Sequence, residues 1–234
     1  MERRWNTAKF GSSVCGNSKI NMNIKNIIFD FGGVLIDLDP TKTYLALGEL
    51  MEKSPKDALA LYEKNKVLFD NYEKGKVITE NFLWNLQNMC PKIPQSHVII
   101  AAWNAMLLGW NPDKLKFLFE IKQQYNIYLL SNTNEVHLDW VKRDLKKNHS
   151  IENFEELFFK KAYYSHLIEM RKPDLEIYQH VLQDADLKAD ETLFIDDNAT
   201  NIEAAKSLGI FTHVHITNAP IDINKIIKNL IQSH

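Results

Sequence analysis

The stretch Asn26–Leu35, with the sequence NIIFDFGGVL, decides the fold of this 234-residue chain. Its first four residues form a short, mainly apolar run that ends at Asp30, and the pair Gly32-Gly33 follows. A short apolar run that closes on a glycine loop is typical of a buried strand. We therefore expect a strand over 26–29 that carries a carboxylate at its carboxyl end.

Similar apolar runs recur further along the chain, separated by stretches with helical spacing. Runs at 127–130, 192–195 and 210–215 predict three more strands, and Tyr163-Tyr164 predicts a weaker one. Repeated strand–helix units imply a parallel sheet that is covered on both faces. The sequence thus predicts an α/β fold with a doubly wound, Rossmann-like parallel sheet.

One block interrupts this alternation and is helical throughout. Its apolar spacing predicts four helices, separated by Pro55, Gly75, Pro91 and Pro94 and spanning 41–53, 57–71, 79–89 and 96–108. Short helices in sequence favour a small bundle. We expect a core formed by 23–40 and 109–234, an inserted α-helical bundle at 41–108, and a poorly ordered N-terminal extension at 1–22.

Composition excludes several classes of protein. Lys and Arg number 28 against 30 Asp and Glu, which gives a net charge of -2 and disfavours a nucleic-acid binder. No run approaches the ~18 apolar residues that span a membrane, and the N-terminus lacks the apolar stretch of a signal peptide. The two cysteines, Cys15 and Cys90, cannot build a zinc cluster or a disulfide framework. We expect a cytoplasmic protein without membrane or nucleic-acid partners.

Polar residues follow the predicted strands where each strand ends. Asp30, Ser131 and the pair Asp196-Asp197 occupy these positions, and Lys172 lies in the loop before a predicted helix. Ligands of an open parallel sheet bind outside the carboxyl ends of its strands. Carboxylates suit Mg²⁺, whereas a hydroxyl, a lysine and helix N-terminal amides suit a phosphate.

Each position also has a structural explanation when it is taken alone. Asp30 can cap a turn, Ser131 and Asn132 can cap a helix, and a lysine is most often a solvated charge. Two adjacent carboxylates after an apolar strand are harder to explain, because they repel each other unless a cation neutralises them. The ordered combination therefore favours a site.

Four segments together resemble the motifs of the haloacid dehalogenase-like hydrolase superfamily, over about 24–220. They are the stretches 27–35 (IIFDFGGVL), 129–132 (LLSN), 171–173 (RKP) and 194–198 (FIDDN). The resemblance implies that the helical insertion is a cap, which closes over the site, excludes water and selects substrates.

The resemblance also assigns roles to residues. It implies that Asp30 is a nucleophile that forms an aspartyl-phosphate, and that Lys172 neutralises the nucleophile and the phosphate. Ser131, with Asn132 and Gly33 beside the phosphate, would bind the transferring group. Mg²⁺ would be held by Asp30, the Gly32 carbonyl, Asp197 and, directly or through water, Asp196, while Asn198 and Asn201 would order the acidic loop.

Gly32 departs from the pattern, because most phosphatases of this superfamily carry a second Asp there as general acid and base. Such help is worth about 10²–10⁴-fold. The substrate can have a better leaving group, Asp37, Asp39 or a cap residue can substitute, or the activity can be weak. A subgroup that resembles α-D-glucose-1-phosphate phosphatases shares the Asp-x-Gly pattern, which favours a Mg²⁺-dependent phosphatase acting on a small phosphorylated metabolite such as a sugar phosphate.

Two alternatives belong to other classes. A 2-haloacid dehalogenase also lacks the second Asp but needs no metal, and the pair Asp196-Asp197 argues against it. A weakly active or non-catalytic binding protein on the same scaffold would not need the nucleophile Asp30. The sequence leaves the oligomeric state open between monomer and homodimer.

A few residues carry weaker expectations. His166 is expected at the surface near the site, and Trp103 and Trp110 in the core of the helical bundle. Tyr72, Glu73 and Gly75 lie in a predicted cap loop that can face the site.

Overall fold

The computed structural model describes residues 23–232, so the predicted extension at 1–22 lies outside the described residues. Within them, a five-stranded parallel sheet has the order β5-β4-β1-β6-β7. Its strands are β1 (Asn26–Phe29), β4 (Asn126–Ser131), β5 (Lys161–Tyr164), β6 (Thr192–Asp196) and β7 (Phe211–Val214). A separate antiparallel pair joins β2 (Ile36–Leu38) to β3 (Leu107–Trp110).

The first strand lies at the centre of the parallel sheet. Ile27 of β1 pairs with Ile127 of β4 on one side and with Leu193 of β6 on the other. The chain therefore builds outward first through β4 and β5 and then through β6 and β7 on the opposite side. This order confirms the predicted doubly wound, Rossmann-like parallel sheet.

Helices cover both faces of this sheet. Ile27 and Phe29 point into one apolar layer, while Ile28 points into the other, as expected for a strand with period two. The helices that follow the insertion are α6 (Pro112–Ile121), α7 (Glu135–His149), α8 (Phe154–Phe158), α9 (Ser165–Ile168), α10 (Leu175–Asp184), α11 (Ala199–Ser207) and α12 (Ile223–Gln232).

The insertion has its own apolar core, centred on Phe82, Leu86, Ile99 and Trp103. Among the described residues it contains five helices rather than the predicted four: α1 (Pro40–Leu50), α2 (Pro55–Lys64), α3 (Lys66–Glu73), α4 (Thr79–Asn88) and α5 (Ser96–Asn104). The additional break falls at Asn65, whose side-chain amide donates to the Leu61 carbonyl at 2.8 Å and so helps end α2.

The predicted helix over 96–108 is wrong at its end. The helix stops at Asn104, and 107–110 form β3 because β2 offers an antiparallel partner, with Ile36 opposite Trp110, 74 residues further along the chain. Trp110 is consequently not in the bundle core. Its ring packs against Phe31 and Phe154 in the core beside the sheet.

The two ends of the insertion lie side by side. The Asp39 amide donates to the Met106 carbonyl at 2.9 Å, so the chain leaves and re-enters the sheet region at one place. No helix within 23–232 is long and apolar enough to cross a membrane.

Candidate active site

Three carboxylates meet at the carboxyl edge of the central strands. Asp30 directly follows β1, Asp196 ends β6, and Asp197 comes next in the chain. The Asp30 amide donates to the Ile195 carbonyl at 2.8 Å, which ties the ends of the two strands together. One oxygen of each carboxylate lies within 4.8 Å of the others, so the cluster can hold a metal ion.

Lys172 reaches this cluster from the loop before α10 and is almost fully buried. Its ammonium group donates to Asp30 Oδ1 at 2.6 Å, to Asp196 Oδ2 at 2.7 Å and to the Leu130 carbonyl at 3.0 Å. An ammonium group has three donors, and here all three have acceptors. The lysine is therefore fixed between the two buried carboxylates.

Burial and charge perturb these groups in opposite senses. Burial raises the pKa of Asp30 to about 7, although Lys172 opposes the rise, and the negative charge of Asp196 adds to it. Burial alone would lower the pKa of Lys172, but Asp196 and Asp30 outweigh it, so that pKa is raised. The pKa of Asp197 is also raised, chiefly by burial. One ammonium among three carboxylates leaves room for a further cation.

Asn198 and Asn201 fix the orientation of Asp196. The Asn201 side-chain amide lies 3.1 Å and 3.0 Å from the two carboxylate oxygens, and the Asn198 backbone amide donates to Oδ1 at 2.8 Å. The Asn198 side chain also caps α11 by accepting from the Thr200 amide at 2.9 Å. These contacts orient Asp196, and the role of the two asparagines in a working site stays a prediction.

Asn132 holds the backbone of Lys172. Its side-chain amide donates to the Lys172 carbonyl at 2.8 Å, and its side-chain oxygen accepts from the Lys172 amide at 2.9 Å. The side chain of Asn132 thus positions the lysine rather than projecting freely toward a phosphate. Ser131, at the end of β4, lines the cavity described below together with Asn132.

Gly33 has a positive φ of 74° and packs against Asp197. A Cβ at this position would lie 2.2 Å from Asp197 Oδ2, which itself accepts from the Thr217 hydroxyl at 2.9 Å. Only glycine satisfies both the backbone conformation and the close approach. A side chain at Gly33 would displace the third carboxylate of the cluster.

A cavity of about 200 Å³ separates the sheet edge from the helical insertion. Gly32, Ser131 and Asn132 line it from the sheet side. From the insertion it is lined by Thr43, Tyr44, Tyr62, Glu73, Trp103 and Met106. A concave, largely apolar cavity with a few polar groups is the usual form of a small-molecule site.

The residues of the insertion and near it that the sequence singled out occupy different positions in the structure. Glu73 lines the cavity, whereas Tyr72 is buried in the bundle and stacks on Phe82. Gly75 packs against the backbone of His166, so close that a Cβ would lie 2.1 Å from its carbonyl oxygen. His166 is half-buried at this contact and does not line the cavity. Trp103 belongs to the bundle core and also lines the cavity.

Neither aspartate considered as a replacement for the missing acid lines the cavity. Asp37 accepts from Lys114 at 2.7 Å, and Asp39 caps α1 by accepting from the Thr41 amide at 3.1 Å. Among the carboxylates of the described chain, Glu73 is the one that lines this cavity. Its neighbour Arg171 was visible in the sequence only as part of the RKP segment, with no signal for the contact between them.

A model of the family described as haloacid dehalogenase-like hydrolase matches residues 24–209. The chain therefore belongs to the haloacid dehalogenase-like hydrolases. The fold and the cluster of carboxylates with a buried lysine agree with this assignment.

Two curated proteins are similar over most of their lengths. The D-ribitol-5-phosphate phosphatase of Bacteroides thetaiotaomicron is 31% identical over 190 residues, which cover 81% of this chain and 90% of that protein. The sesquiterpene phosphatase of Aspergillus oryzae is 30% identical over 207 residues, which cover 83% of this chain and 91% of that protein.

Solved structures are similar over comparable spans. A haloacid dehalogenase family enzyme from Bacteroides thetaiotaomicron, solved as a magnesium complex, has a TM-score of 0.78 at 32% identity, covering 87% of this chain and 98% of that one. Its complex with magnesium and inorganic phosphate has a TM-score of 0.77 at 31% identity, covering 86% and 98%. An L-2-haloacid dehalogenase, at 16% identity and a TM-score of 0.55, shares the fold only.

Proposed function

We propose that the protein is a Mg²⁺-dependent phosphatase that hydrolyses a small phosphorylated metabolite, such as a sugar or polyol phosphate, through an aspartyl-phosphate on Asp30. The observation that carries the proposal is the position of the Lys172 ammonium group. It lies 2.6 Å from Asp30 and 2.7 Å from Asp196. Phe31 and Gly32, which follow Asp30 in the chain, line the neighbouring cavity. The relatives named as phosphatases support the same reaction.

The first step is attack by the Asp30 carboxylate on phosphorus. The new acyl phosphate forms as the phosphorus–oxygen ester bond breaks, and the electron pair of that bond stays on the leaving oxygen, which takes the proton that the hydrolytic water gives up. Water then attacks the acyl phosphate, which releases inorganic phosphate and restores Asp30. Lys172 offsets the repulsion between the carboxylate and the phosphate, and the Ser131 hydroxyl contacts the transferring group.

The cluster of carboxylates fits a hard divalent cation. Asp30, Asp197 and the Gly32 carbonyl would hold Mg²⁺, with Asp196 binding it directly or through water. When bound, the ion supplies positive charge that stabilises the phosphoryl oxygens during transfer. Magnesium in the related Bacteroides structure supports this cofactor.

The test is a screen for phosphate release, with and without Mg²⁺, by wild type and by Asp30→Asn. Wild type should release phosphate only with the metal, and Asp30→Asn should lose activity by a factor on the order of 10³ or more, because the amide is not a nucleophile. Asp39→Asn is the matched control. Asparagine also caps helices, and Asp39 belongs neither to the carboxylate cluster nor to the cavity lining, so activity should be retained.

The same screen addresses the dehalogenase alternative. Metal-independent turnover of 2-chloropropionate, together with no activity on any phosphate ester, would overturn the proposal. The cluster of Asp30, Asp196 and Asp197 favours the phosphatase, because a metal-free dehalogenase has no need of it.

A further inference from the structure

Glu73 brings a carboxylate from α3 to the wall of the cavity, opposite the sheet edge. Arg171 holds it there, donating to Glu73 Oε2 at 2.8 Å and pairing with Asp70 on the same helix at 3.0 Å. In the part of the chain that the structure describes, Glu73 Oε1 has no hydrogen bond. One oxygen is thus fixed by the protein and the other is available to a ligand.

Two tyrosine hydroxyls lie near this carboxylate. Tyr44 and Tyr62 line the same cavity, with ring centroids 5.4 Å apart. Burial raises the pKa of both phenols, and the charge of Glu73 raises each of them further. Both hydroxyls therefore remain neutral and can donate or accept hydrogen bonds. The cavity combines apolar walls with polar groups, and Glu73, Tyr44 and Tyr62 form those on the side of the insertion.

This arrangement discriminates between kinds of leaving group. A second anionic group would meet the Glu73 carboxylate, and an apolar chain would bury that carboxylate and two hydroxyls without new partners. A neutral hydroxyl, in contrast, can donate to Glu73 Oε1 while carbon–hydrogen groups lie against the rings.

A cationic leaving group would also make fewer favourable contacts in the cavity than a neutral hydroxyl. The Trp103 ring already stacks with Phe69 and with His137, at centroid distances of 5.4 Å and 5.0 Å, so its faces are in use. The wall therefore favours neutral, hydrogen-bonding groups.

We infer that Glu73, fixed by Arg171, is a specificity-determining residue that selects a neutral polyhydroxylated leaving group and rejects a phosphate ester with a second negative charge. The inference rests on the proposed phosphatase function. It narrows the substrate class to polyol monophosphates rather than phosphorylated acids, and it adds a residue that sets this preference.

A matched pair of substrates tests the selection. D-ribitol 5-phosphate and D-ribonate 5-phosphate have the same chain and differ in a terminal hydroxymethyl or carboxylate. Wild type should prefer ribitol 5-phosphate, and Glu73→Gln should reduce the ratio of the two kcat/KM values about tenfold or more, since a charge-assisted hydrogen bond is lost and a repulsion is removed. Asp70→Asn is the control. It removes the other partner of Arg171 without changing a cavity residue, so the ratio should change less than about twofold.

Glu73→Asp provides a second test that keeps the charge. It should continue to reject ribonate 5-phosphate but lose turnover of ribitol 5-phosphate, because the shorter side chain no longer reaches the hydroxyl. Turnover of p-nitrophenyl phosphate, measured in parallel, separates the two proposals. If no variant or wild type hydrolyses it, the proposed function fails. If wild type does, the inference is overturned by an unchanged ratio in Glu73→Gln, by an equal change in Asp70→Asn, or by a preference for phosphocholine or an isoprenyl phosphate.

Discussion

Gly32 stands where most phosphatases of this superfamily carry a second aspartate, and the residues around it leave little space for a side chain. A Cβ at position 32 would lie 2.5 Å from Leu38 Cδ1. Both residues line the cavity. The end of a leucine side chain can move by a rotamer change, so the site excludes a side chain at position 32 through one flexible contact.

We therefore expect an acid at position 32 to be accommodated best when space is made for it. Gly32→Asp combined with Leu38→Ala should hydrolyse ribitol 5-phosphate faster than Leu38→Ala alone, by up to about 10²-fold, because the alkoxide leaving group needs a proton. The rates on p-nitrophenyl phosphate, whose leaving group needs little protonation, should be equal in the two variants. A gain of the same size on both substrates would contradict acid catalysis by the new side chain.

At this scale, sequence reasoning located residues that share a motif and missed those that meet only in space. Asp30, Lys172, Asp196 and the two asparagines that orient Asp196 were predictable, because each lies in or beside a short recognisable segment. The contact between Arg171 and Glu73 spans 98 residues and depends on how the insertion docks. No local pattern encodes such a contact.

Between elements, His137 connects α7 to the end of α5. Its Nε2 lies 3.2 Å from the Trp103 carbonyl, which can only accept, so Nε2 carries the proton. Nδ1 is then unprotonated and accepts from the Asn134 side-chain amide at 3.2 Å. A second proton on Nδ1 would turn this acceptor into a donor facing the Asn134 amide, and it would create a positive charge away from water. Burial accordingly lowers the pKa of His137 to about 4.

This histidine should make the protein less stable in mild acid. The unfolded chain takes up a proton near the ordinary pKa of 6.5 and the folded chain only near 4, so the unfolded state binds more protons between these values. Stability should fall as pH decreases through this window. Between pH 7 and pH 5 wild type should lose about 2 kcal/mol more free energy of unfolding than His137→Gln. Denaturant titration at both values measures this, and equal losses would contradict the assignment.

Elements that depend on local periodicity were predicted well, and elements that depend on a distant partner were not. The runs at 127–130 and 192–195 became strands because their apolar residues are buried on both faces of the sheet. Leu107–Trp110 instead has only a three-residue partner, β2, and contains Gly109 at a φ of 96°. The residues before it have helical spacing, so the helix predicted from the sequence ran two residues into this strand.

For the molecule as a whole, the net charge of -2 hides a local concentration of negative charge. Three carboxylates converge at the sheet edge against one ammonium group. Folding brings these charges together, so their repulsion opposes the folded state. A cation that binds only the folded cluster should therefore stabilise the entire chain.

Thermal unfolding should report this binding. At a Mg²⁺ concentration about 100 times Kd, the stabilisation is about 2.7 kcal/mol, which corresponds to an increase in Tm on the order of 5–10 °C for a chain of this size. Asp197→Asn should show a smaller increase. Asp139→Asn, an exposed aspartate paired with Arg143 on α7, should retain the increase seen in wild type. An equal increase in all three proteins would place the metal outside the cluster.

The contact between the Asp39 amide and the Met106 carbonyl has a consequence for how such enzymes diversify. The amide and carbonyl at the two ends of the insertion are 2.9 Å apart. If the insertion is removed or exchanged, the rest of the chain therefore has only a short distance to bridge. A different helical module with equally close ends can be grafted between β2 and β3 without altering the strand order or the carboxylates. The β2–β3 pair thus offers every inserted module the same point of attachment. Substrate choice can therefore evolve in the insertion while the carboxylates at the sheet edge stay unchanged.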